Sequence, residues 1–247
     1  MALDVLNRRI RILNTLGAVS LVFLLGMIFL FAPAEKSMGN VHRLLYFHVG
    51  IAWVSAVAFF FALAYGVLYL RRRETKWDAL SLASVEVGLV FFTITIAVGS
   101  VWAKAAWTKW WVWSPRLTLV VVMWLVYVAY FMLRGAVEDP QKRARFAAVY
   151  VVAAFVTVLL TYLSIRIFRD IHPTVVGGTL ESAQGAAQGG SQFESGIESA
   201  RMGITLATSC GVFSIIFLAW MANRYRLQLL TDEVALLKSR VLGRMRA

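Results

Sequence analysis

The chain has 247 residues, of which 60% are hydrophobic, and its mean hydropathy is +0.71. Soluble domains contain roughly 45–50% apolar residues, so this composition excludes a soluble globular domain and indicates a polytopic membrane protein. The formal net charge of +12 is typical of basic segments that face anionic lipid headgroups, and it does not require a nucleic acid as a partner.

Six apolar segments are long enough, or nearly so, for the ~20 residues that a helix needs to cross ~30 Å of hydrocarbon. They lie at about 12–32, 49–70, 80–102, 117–133, 146–165 and 203–222. The first follows basic residues as a signal peptide does, but no convincing cleavage motif precedes Pro33, so we expect this span to be retained. The predicted fold is therefore all-α, a polytopic membrane protein with six transmembrane helices.

The distribution of Lys and Arg predicts the orientation of the spans. With a cytoplasmic N-terminus, seventeen of the 25 Lys and Arg residues lie in cytoplasmic segments. Because cytoplasmic segments carry an excess of these residues, we expect both termini in the cytoplasm and the segment after the third span on the outer side. The seventeen are Arg8, Arg9, Arg11, Arg71, Arg72, Arg73, Lys76, Arg134, Lys142, Arg143, Arg145, Arg224, Arg226, Lys238, Arg240, Arg244 and Arg246.

The segment after the third span is rich in tryptophan. Residues 101–118 read VWAKAAWTKWWVWSPRLT and contain five of the nine Trp residues of the chain. Clustered indole rings favour a surface for a large, flat, apolar ligand, whose carboxylates Lys104, Lys109 and Arg116 could meet; an interfacial girdle of anchoring Trp side chains is the alternative. The predicted binding residues are Trp102, Trp107, Trp110, Trp111, Trp113 and Arg116.

All three histidines fall on the outer side in this topology. His48 begins the second span, where the positive end of the helix dipole disfavours imidazolium and leaves a nitrogen lone pair for a metal. His172 precedes Pro173, which favours an extended backbone and a ring that can reach inward. His42 is either a substitute ligand or an exposed loop residue. Beside a surface of Trp rings, histidines of this kind suit the axial positions of iron protoporphyrin.

Other chemistry finds little support in the sequence. Glu86 lies inside the third span but near its cytoplasmic start, which favours a structural role. Cys210 is the sole cysteine, so a disulfide, a zinc cluster or a C-x-x-C-H haem attachment cannot form within this chain. Neither a nucleophile with its base nor a phosphate-binding glycine loop is evident, and we expect the protein not to be an enzyme.

Two segments lie outside the predicted bundle. Residues 174–200 are rich in Gly, Ser, Gln and Ala, so we expect a mobile outer loop without chemistry of its own. Residues 227–247 form a predicted cytoplasmic tail, separate from the membrane domain at 1–226. Its apolar residues recur at alternating steps of three and four, which predicts an amphipathic helix that lies on the headgroups or pairs with a partner helix.

The motifs GNVHRLLYFHV, GSVWAKAAWTKWWVWSPRLT and IHP, in this order, resemble the CcmC family of haem-handling proteins over about residues 12–222. The family's Trp-rich "WWD" signature runs approximately W-G-x-P-x-W-G-x-x-W-x-W-D-x-R-L-T. Here several positions depart from the family pattern, among them the Asp, whose carboxylate could orient Arg116 or a backbone turn. The departures are Ala103 and Thr108 for Gly, Ala105 for Pro, Ser114 for Asp, and Gly50 where Pro often follows His-Val.

The resemblance implies a function in cytochrome c biogenesis. Non-covalent b-type haem would dock on the outer face against the Trp-rich segment, with His48 and His172 as axial ligands. The haem would then pass to the haem chaperone CcmE, with the small membrane protein CcmD and the ABC transporter subunits CcmA and CcmB as further partners. The resemblance also implies location in the bacterial inner membrane, with the haem site on the periplasmic side.

Three other functions fit the sequence less well. A permease subunit that moves haem across the bilayer would need polar or small residues along its spans, which here are mostly bulky. A membrane electron-transfer cytochrome would hold haem between paired histidines within helices, whereas these histidines are predicted at the surface. A haem lyase of this family would be longer, with more spans and more histidines.

Overall fold

The structure, a computed structural model, describes residues 2–36, 38–167, 197 and 199–245. The described residues form helices and connecting segments and contain no β-strand. A π-helical turn at Met27–Phe31 extends α1, and a 3₁₀ turn at Asn40–His42 precedes α2. The helices are α1 (Ala2–Gly26), α2 (Arg43–Arg72), α3 (Thr75–Trp107), α4 (Pro115–Ala136), α5 (Pro140–Ile167) and α6 (Ala200–Met245).

Each of these six helices is long and apolar enough to cross a membrane. The all-α fold with six spans is therefore confirmed, and the chain is a multi-pass membrane protein. Most of the helices continue into polar residues at one or both ends, and these residues were not part of the apolar segments predicted from the sequence. The fourth span, the shortest in the sequence, gains its length from Pro115 at its start and Ala136 at its end.

Helices α2 and α3 form the centre of the bundle. One apolar cluster joins them to α1 and α6, and a second cluster joins them to α4 and α5. In the second cluster the ring of Phe59 stacks on Tyr127 with centroids 3.8 Å apart. Since α2 and α3 contribute to both clusters, the two outer helix pairs are held in place through them.

Two ion pairs tie α3 to its neighbours at the end of the bundle where α3 begins. Arg134 of α4 donates to both carboxylate oxygens of Asp78, at 2.6 and 2.9 Å. Arg224 of α6 donates to Glu86 at 2.8 Å. The carboxylate of Glu86 thus neutralises a cation of a neighbouring helix, which agrees with the structural role predicted for it. We call this end, which also carries Arg71–Arg73, the basic end.

Close contact between α2 and α6 depends on Gly50. A Cβ atom at this position would collide with Ser209 Oγ and lie 2.8 Å from a ring carbon of Phe213. Ser209 Oγ donates to the backbone oxygen of Tyr46 at 2.7 Å, so the two helices also share a hydrogen bond here. Proline, which the family often has at this position, also has a Cβ atom and would meet the same neighbours. Glycine in place of proline therefore allows α6 to pack closely against α2.

Helix α6 is a single helix of 46 residues. At 1.5 Å per residue it is about 69 Å long, more than twice the ~30 Å of a hydrocarbon core. The predicted tail after Arg226 continues the last span as helix up to Met245. The predicted loop at 174–200 lies outside the described residues except for residues 197, 199 and 200.

Replacement of Gly50 by alanine should destabilise the bundle. The added methyl group overpacks the contact with α6, which typically costs about 1–3 kcal/mol. Gly211→Ala is the matched control, because apart from the backbone of its own helix no atom lies within 4 Å of the added Cβ. Thermal unfolding in detergent should show a lower midpoint for Gly50→Ala and an unchanged or higher one for Gly211→Ala. Equal midpoints would contradict the packing described here.

Candidate ligand site

A cavity of about 80 Å³ opens at the end of the bundle opposite the basic end. Four helices and the α3–α4 connection contribute to its wall. We call this end the Trp end, because most of the predicted Trp residues lie around the cavity. The polar and aromatic residues of the wall are His48 of α2, Phe92, Thr95, Trp102 and Trp107 of α3, Trp111 of the connection, Arg116 of α4, and Thr161 and Tyr162 of α5.

The His48 ring is held by the backbone of α3. Its Nδ1 lies 3.1 Å from the carbonyl oxygen of Thr95. A carbonyl only accepts hydrogen bonds, so the proton of the neutral ring is on Nδ1 and the lone pair is on Nε2. Metal-binding histidines typically donate their other ring N–H to a backbone carbonyl or carboxylate in this manner, which fixes the tautomer and the ring orientation.

Gly99 provides the space for this ring. A Cβ atom at position 99 would lie 2.7 Å from Cε1 of His48 and 3.1 Å from Nδ1. Any other residue at this position would therefore displace the imidazole from the Thr95 carbonyl. Gly99 lies one helical turn before Trp102, so the residue that makes room for His48 and the first Trp of the cavity share one face of α3.

The structure corrects two expectations about the histidines. Helix α2 begins at Arg43, so His48 is more than one turn inside the helix, where the dipole effect of the first turn has faded. The Thr95 carbonyl, and not the helix end, thus fixes its tautomer. His42, predicted to be either a substitute ligand or an exposed loop residue, is not exposed: only 4% of it is accessible and its ring meets Tyr46 edge-on. His172 lies outside the described residues.

The Trp-rich segment is less of a loop than predicted. Trp102 and Trp107 belong to the last turns of α3, and only residues 108–114 connect the helices. Trp102 packs edge-on against Trp107, with centroids 5.4 Å apart, and Trp111 packs in the same way against Trp113, at 6.0 Å. The indole rings thus form two edge-on pairs rather than a flat platform, and only three of the four rings line the cavity.

The five Trp residues divide into two groups by exposure. Trp102, Trp107 and Trp111 line the cavity. Trp110 and Trp113 lie outside it and are 59% and 71% exposed. The indole nitrogens of Trp102 and Trp111 are buried, and neither has a hydrogen-bond partner among the described residues. Two buried N–H donors near one cavity favour a ligand that carries hydrogen-bond acceptors.

The start of α4 is capped by a neutral group. Ser114 Oγ accepts a hydrogen bond from the backbone N–H of Leu117 at 3.4 Å and thereby caps α4, with Pro115 as the first helical residue. These are the residue types preferred at a helix start. We expected the loss of the signature Asp to affect the turn or Arg116. The Ser114 hydroxyl supplies the cap for the turn without a charge.

Thr108 ends α3 in a left-handed conformation, with φ of 61°. Lys104 Nζ donates to the Thr108 carbonyl oxygen at 2.9 Å and so fixes the last turn. The family usually has Gly at position 108, and Gly is the residue that adopts this conformation without a steric penalty. Thr108 therefore adopts the left-handed backbone conformation that glycine would adopt at this position, but with steric strain.

The wall of the cavity is mostly apolar and contains one cation, Arg116. The Arg116 guanidinium lies 5.9 Å from the centroid of the Tyr162 ring, and the Tyr162 hydroxyl donates to the Ala52 carbonyl oxygen at 2.9 Å. Lys104 and Lys109 are exposed beside it. The sequence contains no Asp or Glu between positions 86 and 138. This end of α3 and α4 thus favours a ligand with negative charge.

The sequence did not reveal all residues of the cavity. Thr95, Thr161 and Tyr162 lie in apolar spans, where their spacing gives no sign that they face His48 and Arg116. Gly99 carried a weak signal, since it precedes Trp102 by one turn within the motif GSVW. Of the predicted residues, the structure brings together His48, Trp102, Trp107, Trp111 and Arg116, and it leaves Trp110 and Trp113 outside the wall.

These features define a class of protein: a multi-pass α-helical membrane protein with a Trp-lined cavity that contains one arginine, at one end of its bundle. Comparison with known proteins is more specific. The chain belongs to the CcmC family, Heme exporter protein C, whose family model matches residues 1–239. The resemblance drawn from the Trp-rich segment is thereby confirmed.

Individual relatives are similar over shorter stretches. Heme exporter protein C of Escherichia coli (strain K12) is 32% identical over 150 residues, which cover 58% of each chain. A ccmC-like mitochondrial protein of Marchantia polymorpha, named for cytochrome c biosynthesis, is 25% identical over 57% of this chain and 59% of its own. Heme exporter protein C of Paracoccus denitrificans is 25% identical over 84% and 81%. The chain therefore spans less than two thirds of the first two relatives.

Replacement of Thr108 by glycine should stabilise the protein. A side chain in the left-handed region costs about 1–2 kcal/mol, and Gly avoids this penalty. Thr108→Ala is the control, because both variants lose the hydroxyl but only alanine keeps a Cβ. In thermal unfolding, the free energy of unfolding of Thr108→Gly should be about 1 kcal/mol higher than that of Thr108→Ala, with a correspondingly higher midpoint. A lower midpoint for the glycine variant than for the alanine variant would contradict the strained cap.

Proposed function

We propose that this protein binds haem non-covalently at the Trp end and loads it onto a haem chaperone during cytochrome c maturation, as a carrier and not as an enzyme. The observation that supports this most is His48, held with its Nδ1 on the Thr95 carbonyl at the wall of a Trp-lined cavity. The names of the relatives, which refer to heme export and cytochrome c biosynthesis, point to the same cargo.

His48 would bind the haem iron through Nε2. Haem iron is commonly held by a histidine nitrogen, and the ring must be neutral and oriented for this. The Thr95 carbonyl and the space at Gly99 meet both requirements. His172, from the segment between α5 and α6, would supply the second axial ligand. His42 would take no part, because its ring packs against Tyr46 and does not line the cavity.

The indole rings would cover the macrocycle without enclosing it. Pockets that surround a drug-sized ligand have volumes of about 300–1,000 Å³, whereas this cavity has about 80 Å³. One edge of the haem would therefore enter beside Trp102, Trp107 and Trp111, and the rest would lie against the exposed rings of Trp110 and Trp113. Partial exposure suits a protein that must hand its cargo to another.

The carboxylates of haem fit the polar groups of the wall. The indole N–H groups of Trp102 and Trp111 can donate to carboxylate oxygens. Arg116 lies on the same wall, and Lys104 and Lys109 are exposed nearby. Charge-assisted hydrogen bonds of this kind orient a ligand at an interface even where water weakens the ion pairs.

The site would face the periplasm of a bacterium from the inner membrane, with both termini in the cytoplasm, in accord with the excess of Lys and Arg at the basic end. The acceptor would be the haem chaperone CcmE. CcmD and the transporter subunits CcmA and CcmB would act in the same process. In this process the chain would bind the haem iron, cover the porphyrin ring and release the haem to the chaperone.

Trp111→Ala should weaken haem binding by about tenfold to a hundredfold, because an indole contact with the ring contributes ~1–3 kcal/mol. Arg116→Ala should weaken it less, since Lys104 and Lys109 remain. The measurement is a haem titration of the purified protein, followed by its absorption spectrum in the oxidised and reduced states.

Trp220→Ala is the control, because Trp220 is half-exposed and stacks on Phe91 outside the cavity. If the wild-type spectrum does not change with excess haem in either redox state, the proposed function is wrong. If Trp220→Ala weakens binding as much as Trp111→Ala and both fold normally, the clustered Trp residues are membrane anchors.

A further inference from the structure

The part of α6 beyond the membrane presents an apolar stripe that the described part of the chain does not cover. Every residue from Thr231 to Leu242 is exposed. Apolar residues follow one another at alternating steps of three and four, and Val234 is 63% exposed. The stripe consists of Leu227, Leu230, Val234, Leu237 and Val241, and we call it the tail seam.

The course of α6 argues against the membrane surface as the partner of the tail seam. Residues 200–222 alone form about 34 Å of helix, enough to cross the hydrocarbon. Asn223, Arg224 and Arg226 then mark the polar boundary, and Asn223 is tied to Asn14 of α1 at 2.8 Å. The helix continues without interruption through this boundary, so we expect the tail seam to extend beyond the bilayer surface, where a second helix can cover it.

The residue types in the tail seam favour a parallel pair of helices. In heptad positions, Leu227, Val234 and Val241 occupy a, and Leu230 and Leu237 occupy d. Val at a with Leu at d favours two parallel strands. Arg244 takes the next d position and ends the seam.

The charges beside the seam match a second copy of the same chain. In a parallel, in-register pair, the g position of one helix faces the following e position of the other. Glu233 at g then meets Lys238 at e of the second copy, and symmetry repeats this pair. The other g residues, Arg226 and Arg240, meet Thr231 and Met245, so no like charges oppose each other.

A seam of this length is short for a stable coiled coil, but the membrane favours its formation in two ways. Two copies inserted with the same orientation present parallel tails, and confinement in one bilayer raises their effective concentration. The span of α6 also supplies the helical nucleus that an isolated peptide of this length lacks. We propose that the tail seam joins two copies of this chain in a parallel coiled coil and makes the protein a dimer.

Disulfide trapping in membranes tests this proposal. In a Cys210→Ala background, Leu237→Cys and Val234→Cys should yield, on mild oxidation, a covalent species of twice 27.6 kDa. Ser239→Cys, on the opposite face of the same helix, is the matched control and should yield several-fold less. No dimer at either seam position, equal trapping at Ser239, or an adduct with a different protein would overturn the proposal.

A charge exchange tests the register. Glu233→Lys and Lys238→Glu should each reduce trapping through Leu237→Cys several-fold, because each places like charges opposite each other. The double variant restores opposite charges and should recover trapping. A double variant no better than the single ones would overturn the parallel, in-register pairing. Haem binding enters neither readout, so this proposal and the proposed function can fail independently.

Discussion

His48 lies directly against the backbone of α3, and this contact is possible because position 99 has no side chain. The ring, the Thr95 carbonyl and the missing Cβ together set the distance between α2 and α3 at the Trp end. Since these two helices take part in both apolar clusters of the bundle, the same contact also places the residues that α4 and α5 contribute to the cavity. The geometry of the site thus rests on a glycine that offers no functional group.

The two ends of α3 are chemically different. Near its start, Asp78 and Glu86 bind arginines of α4 and α6 and neutralise them within the bundle. Beyond Glu86 no acidic residue follows until Glu138, and this stretch contains Lys104, Lys109 and Arg116. Helix α3 thus carries its acidic residues where it packs against α4 and α6, and the sequence has an excess of Lys and Arg at the Trp end. This polarity explains why one helix can serve both as a packing element and as a wall of the site.

Much of the fold followed from the sequence, because apolar length alone determines how many helices cross a membrane. The Trp residues and His48 could be predicted as site residues because Trp and His are rare residue types and here they occur in clusters. The position of the His42 ring and the partner of His48 could not be inferred, since both depend on where α2 begins relative to α3. Tyr162 gave no signal because it comes from a distant span. Ser114 and Thr108 show that a signature can keep its backbone while its residues change.

The most direct test of the account is whether His48 itself binds the iron. A His48→Gly variant, loaded with haem, should lose the low-spin histidine spectrum, and added imidazole should restore it by occupying the space of the missing ring. His42→Ala should keep the wild-type spectrum and should not respond to imidazole. If His48→Gly retains the wild-type spectrum, or if His42→Ala loses it and imidazole restores it, the ligand is not the histidine that Thr95 and Gly99 hold in place.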